Sequence, residues 1–499
     1  MSSGPHTHDL VAYPSFPYPD THPDRLAVMG ILHGLNPTPV ERCRVLEVGC
    51  NEGANLIPMA YAIPGSEFVG FDIAELPVLR AQARIKELGL SNVQVFQADL
   101  LTVGETLGMF DYIIAPGVYS WVSDPVRDAL LSLCHQHLTP TGIAFISYNA
   151  LPGGHLRNMM REILLNRCDG VNDPVSAVNQ GIDFLRSVVE LRGPGDPLSA
   201  LMEKEAGRLQ LRNIREIYHD ELSSEHRPVL FSNFIAHAGK NDLSYLSESV
   251  IMPPGDPSNQ PKAVAMANHL AEGDPIAKEQ ILDFVRMRGY RETLLCHANL
   301  TPSLEIRMDV IQRLNLSSQA VSSPGDSEGS RTYTLPDGLE MKATDTTSIT
   351  VMEYLISSWP EAVPFTELEE VLAQQGIQSD PDFRTLLLRM ASARMVQFHI
   401  WNAPVSKTIP ARPRASASGR QEAVAHGFIT TLHHLPLALG DTMVRRFLSI
   451  LDGSRDRTDL LKVLHREFPD ISEANLTGGI EMSLNVLHRA GMLLVEDFQ

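Results

Sequence analysis

Arg44-Val45-Leu46-Glu47-Val48-Gly49-Cys50-Asn51-Glu52-Gly53 is the stretch that decides the fold. Its first half is a short apolar run that predicts a strand. Its second half is an acidic turn with glycines at 49 and 53. A helix is expected to follow at once, from about Ala54 to Ala62. Glu67-Phe68-Val69-Gly70-Phe71-Asp72 then reads as a second strand closed by an acid. Strand, Gly turn, helix, strand, acid is the order in which a doubly wound α/β fold builds an adenosine pocket. The turn lets backbone N–H groups approach a ligand, and the acid accepts hydrogen bonds from ribose hydroxyls.

The turn separates two ligands. A dinucleotide site needs G-x-G-x-x-G, because a pyrophosphate must sit on the helix N-terminus. Here the spacing is Glu47-x-Gly49-x-x-x-Gly53, with Asn51 where a middle glycine would stand. Asn is the next-best residue at positive φ, so the turn survives. Glu47 would repel phosphate and would welcome the positive amino acid end of S-adenosylmethionine. The residues therefore favour S-adenosylmethionine over NAD.

Further strands extend the pattern. Val93-Gln94-Val95-Phe96-Gln97-Ala98-Asp99-Leu100 is a third, ending in an acid suited to the adenine amino group. Phe110–Ala115 is a fourth and Gly142–Tyr148 a fifth, with helices expected over 75–88 and 124–137. One strand-end acid alone is an ordinary turn residue. Acids at three strand ends, in this order, resemble the class I S-adenosylmethionine-dependent methyltransferases, with their Rossmann-like doubly wound sheet.

Six further segments narrow the resemblance. They are Tyr13-Pro14-Ser15-Phe16-Pro17-Tyr18-Pro19-Asp20-Thr21-His22, Asn55-Leu56-Ile57-Pro58-Met59-Ala60, Gly117-Val118-Tyr119-Ser120-Trp121-Val122, Ser147-Tyr148-Asn149-Ala150-Leu151-Pro152-Gly153-Gly154, Tyr218-His219-Asp220-Glu221-Leu222 and Tyr290-Arg291-Glu292-Thr293-Leu294-Leu295-Cys296-His297. Together they resemble bacterial methyltransferases carrying a methyltransferase regulatory domain, a family that includes rickettsial lysine methyltransferases of an outer-membrane protein. The resemblance is strong over roughly 10–300 and looser beyond.

Site expectations follow. Glu47, Gly49 and Asn51 would surround the amino acid end of the cofactor. Asp72 and Ile73 would hold ribose and adenine, and Asp99 and Leu100 the adenine edge. Ala115 and Pro116, after the fourth strand, would pass the methionine moiety. The resemblance implies that Tyr18, Thr21 and His22 fold back as a cap. On the acceptor side, Tyr119, Trp121 and Tyr148 are aromatic candidates for an amine or sulfonium, a contact worth roughly 0.5–2 kcal/mol. Asn149 could hydrogen-bond the acceptor. His155, His219 and Asp220 are candidate bases, though each is more often a satisfied structural group.

At 499 residues the chain is too long for one core. Its 41 Lys+Arg against 60 Asp+Glu give a net charge of −19, which argues against a nucleic-acid surface and allows a basic protein acceptor. The five cysteines, at 43, 50, 134, 168 and 296, show no zinc or disulfide spacing, so no metal is expected. With no apolar signal segment, the expected location is the cytoplasm, and an envelope acceptor would be met before export.

The expected organisation is a cap segment at 1–42, a cofactor-binding core at 43–150, a helical insertion at 151–217 (a lid or dimer surface), and a regulatory region at 218–315. That region would complete the sheet with late strands at Leu243–Val250 and Tyr290–Ala298. Small winged-helix-like, α-rich modules are expected at 333–402 and 425–499, after Ser/Gly/Asp-rich and Pro/Ser/Arg-rich linkers at 316–332 and 403–424. The lysine acceptor and a homodimer rest on the family resemblance. A small-molecule acceptor and a non-catalytic cofactor-binding scaffold are the alternatives.

Overall fold

The computed structural model describes residues 9, 11–104, 107–168, 170–171, 173–193, 195–223, 225–251, 256, 259–377, 381–425 and 427–498. Residues 1–8 and 10 of the expected cap, and short stretches of the expected insertion, regulatory region and C-terminal modules, lie outside these.

Seven strands form one sheet: β1 (Arg44–Val48), β2 (Glu67–Asp72), β3 (Val93–Gln97), β4 (Phe110–Ala115), β5 (Leu138–Asn149), β6 (Leu243–Glu248) and β7 (Tyr290–His297). Their order is β3-β2-β1-β4-β5-β7-β6. Pairs among β1 to β5 are parallel, and β7 runs antiparallel to both β5 and β6. This is the class I methyltransferase sheet. Strand order reverses between β1 and β4, and such a switch point opens a crevice at the carboxyl ends of the strands.

Both faces of the sheet are covered, which is why its central strands are apolar throughout. Val45, Phe68, Tyr112, Ile143 and Phe145 pack into one core, and Leu46, Val48, Phe71, Ile113 and Ile146 into the other. Helices Leu56–Ala62, Glu75–Leu88 and Asp124–His137 connect the parallel strands. β5 starts earlier than expected, at Leu138, because the chain leaves its helix directly into the sheet.

After β5 come helices Gly153–Cys168, Pro174–Arg192, Pro197–Gln210 and Ile214–Glu221. They bury Met160, Leu164, Leu185, Met202 and Ile217 in a core of their own. Asp173, Asp196 and Asn213 cap three of them by accepting a backbone N–H from the first turn. Helix Phe231–Gly239 leads into β6, and helices Pro261–Leu270 and Pro275–Arg286 lead into β7.

Residues 316–332, read from sequence as a linker, differ from that reading. β8 (Asn315–Ser317) pairs with β12 (Val363–Pro364) and β13 (Gln397–His399). β9 (Val321–Pro324), β10 (Arg331–Thr334) and β11 (Glu340–Ala343) form an antiparallel meander. Ser317 closes β8 and Ser318 follows it, while the other Ser, Gly and Asp residues belong to β9 and its connection to β10, where they imitate linker composition. Helices Thr346–Ser358, Phe365–Gln374 and Pro381–Ser392 complete the module. Its Val351, Leu355, Phe365, Leu387 and Phe398 share one apolar core with Leu26, Leu32 and Val45.

Residues 403–424 also depart from a linker, since helix Ala417–Ala425 begins there. Beyond it lie a short hairpin, β14 (Ile429–Thr430) and β15 (Pro436–Leu437), and helices Thr442–Ser449, Arg457–Glu467 and Glu473–Arg489. This last module packs around Phe447, Leu448, Leu460, Leu484 and Leu487. It reaches the sheet domain through Arg84, whose Nη2 lies 3.0 Å from Glu422 Oε1. No described helix is long and apolar enough to cross a membrane.

Candidate functional site

A cavity of about 820 Å³ opens at the carboxyl ends of β1, β2 and β4. Its floor is the turn after β1. Gly49, Asn51 and Gly53 all have positive φ, at 73°, 48° and 70°. The turn is tied to β2: Gly49 and Cys50 N–H donate to Phe71 O, and Asn51 N–H donates to Asp72 Oδ2 at 2.9 Å. Asp72 Oδ1 accepts from Ala74 N–H at 2.9 Å. A Cβ on residue 49 would stand 3.1 Å from Val118 Cγ2, so a side chain there would crowd the opposite wall.

Glu47 is 2% exposed. Its Oε1 accepts from Asn55 Nδ2 at 2.9 Å, while Oε2 is buried without a partner among the described residues. Burial pushes its carboxyl up to about 8. The Asn55 bond opposes that rise and the nearby Asp72 charge adds to it. A buried carboxylate with one unsatisfied oxygen is a place for a cation.

A strap formed by residues 11–18 crosses the opening. Tyr18 N–H donates to Asn55 Oδ1 at 2.8 Å, and Asn51 Nδ2 donates to Tyr13 O at 3.3 Å. Tyr13 Oη donates to Asp220 Oδ1 at 3.3 Å, and His219 Nε2 lies 2.7 Å from Val11 O. Phe16 meets Phe428 of the last module edge-on, with ring centroids 5.1 Å apart.

Most of the sequence-predicted residues meet in this cavity. Tyr18, Glu47, Gly49, Asn51, Asp72, Ile73, Asp99, Leu100 and Pro116 line it, as do Trp121 and Asn149. Ala115 does not, being fully buried within β4. Thr21 lies beneath the strap, donating to Tyr18 O at 2.8 Å and accepting from Asn55 Nδ2 at 3.0 Å. His22 caps helix Pro23–Leu32 through Nδ1 and faces a separate cavity of about 360 Å³.

Tyr119 also lies outside the lining. Its ring is 2% exposed and meets Phe234 edge-on, and its Oη is 2.8 Å from His237 Nδ1. Tyr148 stacks on the same Phe234 with centroids 4.2 Å apart. Trp121 reaches the cavity, but the guanidinium carbons of Arg157 and Arg161 sit 5.2 and 5.5 Å from its ring centroid. Resident cations thus already occupy its π-surface. Asn149 Oδ1 accepts from Arg157 Nη1 at 2.9 Å. Arg157 is held in turn by Glu221, at 2.8 Å from Nη2 and 3.2 Å from Nε. Burial raises the Glu221 carboxyl, but Arg157 and Arg212 hold it lower overall. Of the three candidate bases, His219 and Asp220 line the cavity and His155 is exposed elsewhere on its helix.

Sequence reasoning missed Tyr13, Asn55, Arg157, Tyr218, Glu225 and Tyr290 as lining residues. Asn55 stood two residues after Gly53 and Tyr13 in the same Tyr/Pro-rich leader, so both had a local signal. Arg157 had none, because its place depends on how the helical insertion packs.

Residues 46–144 match the model of a methyltransferase domain, and residues 215–297 that of a predicted methyltransferase regulatory domain. Uncharacterized protein RP028 of Rickettsia prowazekii is 32% identical over 241 residues, covering 48% of this chain and 96% of that relative. The chain belongs to the class I S-adenosylmethionine-dependent methyltransferases that carry this regulatory domain. Uncharacterized protein RP789 of the same organism is 33% identical over 312 residues, which is 62% of this chain and 56% of the relative. The chain therefore matches little more than half the length of that relative. Among solved structures, PKMT2 from Rickettsia typhi in complex with AdoHcy superposes with a TM-score of 0.85 at 24% identity, covering 96% of this chain and 99% of that one. The shared fold thus includes both C-terminal modules. The methyltransferase cofactor fits the residues present, since the unsatisfied Glu47 Oε2 suits its ammonium group.

Proposed function

We propose that the protein transfers a methyl group from S-adenosylmethionine to the side-chain amine of lysine in a protein acceptor. The observation that carries this reading is the single cavity that runs from Glu47, Asp72 and Asp99 to Trp121, Asn149 and Tyr290. Donor and acceptor ends share one space, as in-line transfer requires. When bound, S-adenosylmethionine supplies a methyl group already activated by its sulfonium. The chain's own work is to orient the reactants, exclude water and favour a neutral amine.

Glu47 would pair with the cofactor's ammonium, Asp72 with ribose, and Asp99 and Leu100 with adenine. Tyr18 and the strap would close over them. Tyr13, Tyr18, Tyr218 and Tyr290 give the acceptor end an aromatic wall, with Asp220 and Glu225 beside it. Such a wall attracts a lysine cation, and desolvation against it lowers the amine pKa so that the lone pair is free to attack. The net charge of −19 suits a basic acceptor. The whole-chain likeness to PKMT2 supports a protein acceptor. We place the reaction in the cytoplasm, before any export of an envelope acceptor, and expect a homodimer through the 151–217 helices.

The test is transfer from radiolabelled S-adenosylmethionine into a lysate of the native host, separated into protein and small-molecule fractions. Asp72→Ala, which removes the acceptor of Asn51 N–H in the cofactor turn, serves as the inactive control. Label recovered as methyl-lysine from a protein band is the expected result. Label only among small molecules would replace the acceptor class. Cofactor binding with no label in either fraction would favour a scaffold.

A further inference from the structure

His434 lies in the last module, 379 positions along the chain from Asn55, yet its Nε2 stands 2.8 Å from Asn55 Oδ1. A neighbour fixes the sense of this bond. The backbone N–H of Tyr18 donates to the same atom at 2.8 Å, so that atom is the amide oxygen and His434 donates to it from Nε2–H. The other end of the amide is thereby set. Asn55 Nδ2 donates to Glu47 Oε1 at 2.9 Å and to Thr21 Oγ1 at 3.0 Å. With Oε1 committed, Glu47 is left with Oε2 for a cation.

The backbone around His434 is built to hold this geometry. His434 has φ 60°, a left-handed conformation that residues other than glycine seldom adopt. Its N–H donates to Thr431 O at 2.9 Å, and Thr431 Oγ1 accepts from Leu435 N–H at 3.1 Å. The side chain is 3% exposed, and burial keeps the imidazole neutral, with its pKa well below the ordinary histidine range.

We propose that His434 is a positioning residue for the amino acid end of S-adenosylmethionine, acting through the Asn55 amide on Glu47. The inference rests on the cofactor reading given above. It makes the last module part of the cofactor site, although none of its described residues lines the cavity.

Calorimetric binding of two adenosine ligands to the full chain tests it. S-adenosylhomocysteine has the amino acid end and methylthioadenosine lacks it. His434→Asn keeps a residue that tolerates the left-handed backbone but is too short to reach Asn55. His434→Gln restores an N–H donor at similar reach. The expected result is that His434→Asn weakens S-adenosylhomocysteine by about 10–100-fold, leaves methylthioadenosine unchanged, and that His434→Gln recovers most of the loss. Equal weakening of both ligands, or no change in either, would reduce His434 to a packing group. A wild-type chain that binds neither ligand would overturn the cofactor reading itself, and the proposal with it.

Discussion

Glu47 carries the most informative chemistry of any single residue in this chain. Its carboxyl is pushed up to about 8, first by burial, so near neutral pH the cofactor-free protein holds it largely protonated. A cationic ligand needs the charged form, so binding must release a proton. Affinity for S-adenosylhomocysteine is therefore expected to rise as pH goes from about 6 to about 8 and then level off. Glu47→Gln should flatten that profile and weaken binding throughout. Calorimetry in buffers of different ionisation enthalpy measures both the affinity and the proton count. Stability runs the other way. The folded pKa lies above the unfolded value, so the native state binds the extra proton. The contribution of Glu47 is full below about pH 4.5, is lost as pH rises through about 8, and amounts to a few kcal/mol. The melting point of the cofactor-free protein should fall across that window, and less steeply in Glu47→Gln. Glu47, Asp72 and Asp99 were legible in the sequence because a strand end delivers its residue to the same place in any sheet of this kind. Tyr119 was not. It and Trp121 belong to one 3-10 turn, where residues two apart point about 120° from each other. Only Trp121 turns into the cavity.

At the scale of elements, helix Ile214–Glu221 does more than its eight residues suggest. Its Glu221 is 2% exposed and takes Arg157 and Arg212, each at 2.8 Å. Arg157 passes that hold to Asn149 at the end of β5. Glu221→Ala leaves two largely desolvated guanidinium groups without their shared carboxylate. We expect a loss of about 3–5 kcal/mol, read from denaturant midpoints, together with a fall in methyl transfer as Asn149 loses its anchor. A change within ordinary surface scatter would show that Asp220 and Glu216 replace it. Most helices and strands could be read in advance, since caps, glycine stops and apolar periodicity are local. The late strands β6 and β7 were inferred from what a seven-stranded sheet still lacked. The meander β9–β11 escaped notice because its strands are short and only a few positions, such as Tyr333, are buried. Four-residue strands that bury two neighbours in β10, one residue in β11 and none in β9 leave too little alternation to separate a strand from a linker.

For the whole molecule, the last two modules belong to the enzyme's body. Composition made 403–424 look like a tether, but Ala415, Ser416 and Ser418 are buried. Glu422 accepts from Thr430 N–H at 2.6 Å and pairs with Arg84 of the sheet domain. Trp359 Nε1 donates to Arg489 O at 2.6 Å, joining the two modules. Limited proteolysis of the native chain should therefore spare 403–424, despite its arginines at 412, 414 and 420. Rapid trypsin cleavage there, releasing a stable C-terminal fragment, would contradict this packing. Sequence could not reveal it, because a contact between residues 55 and 434 leaves no periodic trace in either neighbourhood.

The strap's far anchors also set a timetable for synthesis. A ribosome delivers the β1 turn and its acids more than three hundred residues ahead of Phe428 and His434. Until then the cofactor turn has no partner for Asn55 from the last module and the strap has no aromatic seat. A chain cut short before Phe428 therefore holds the β1 turn and its acids without either contact.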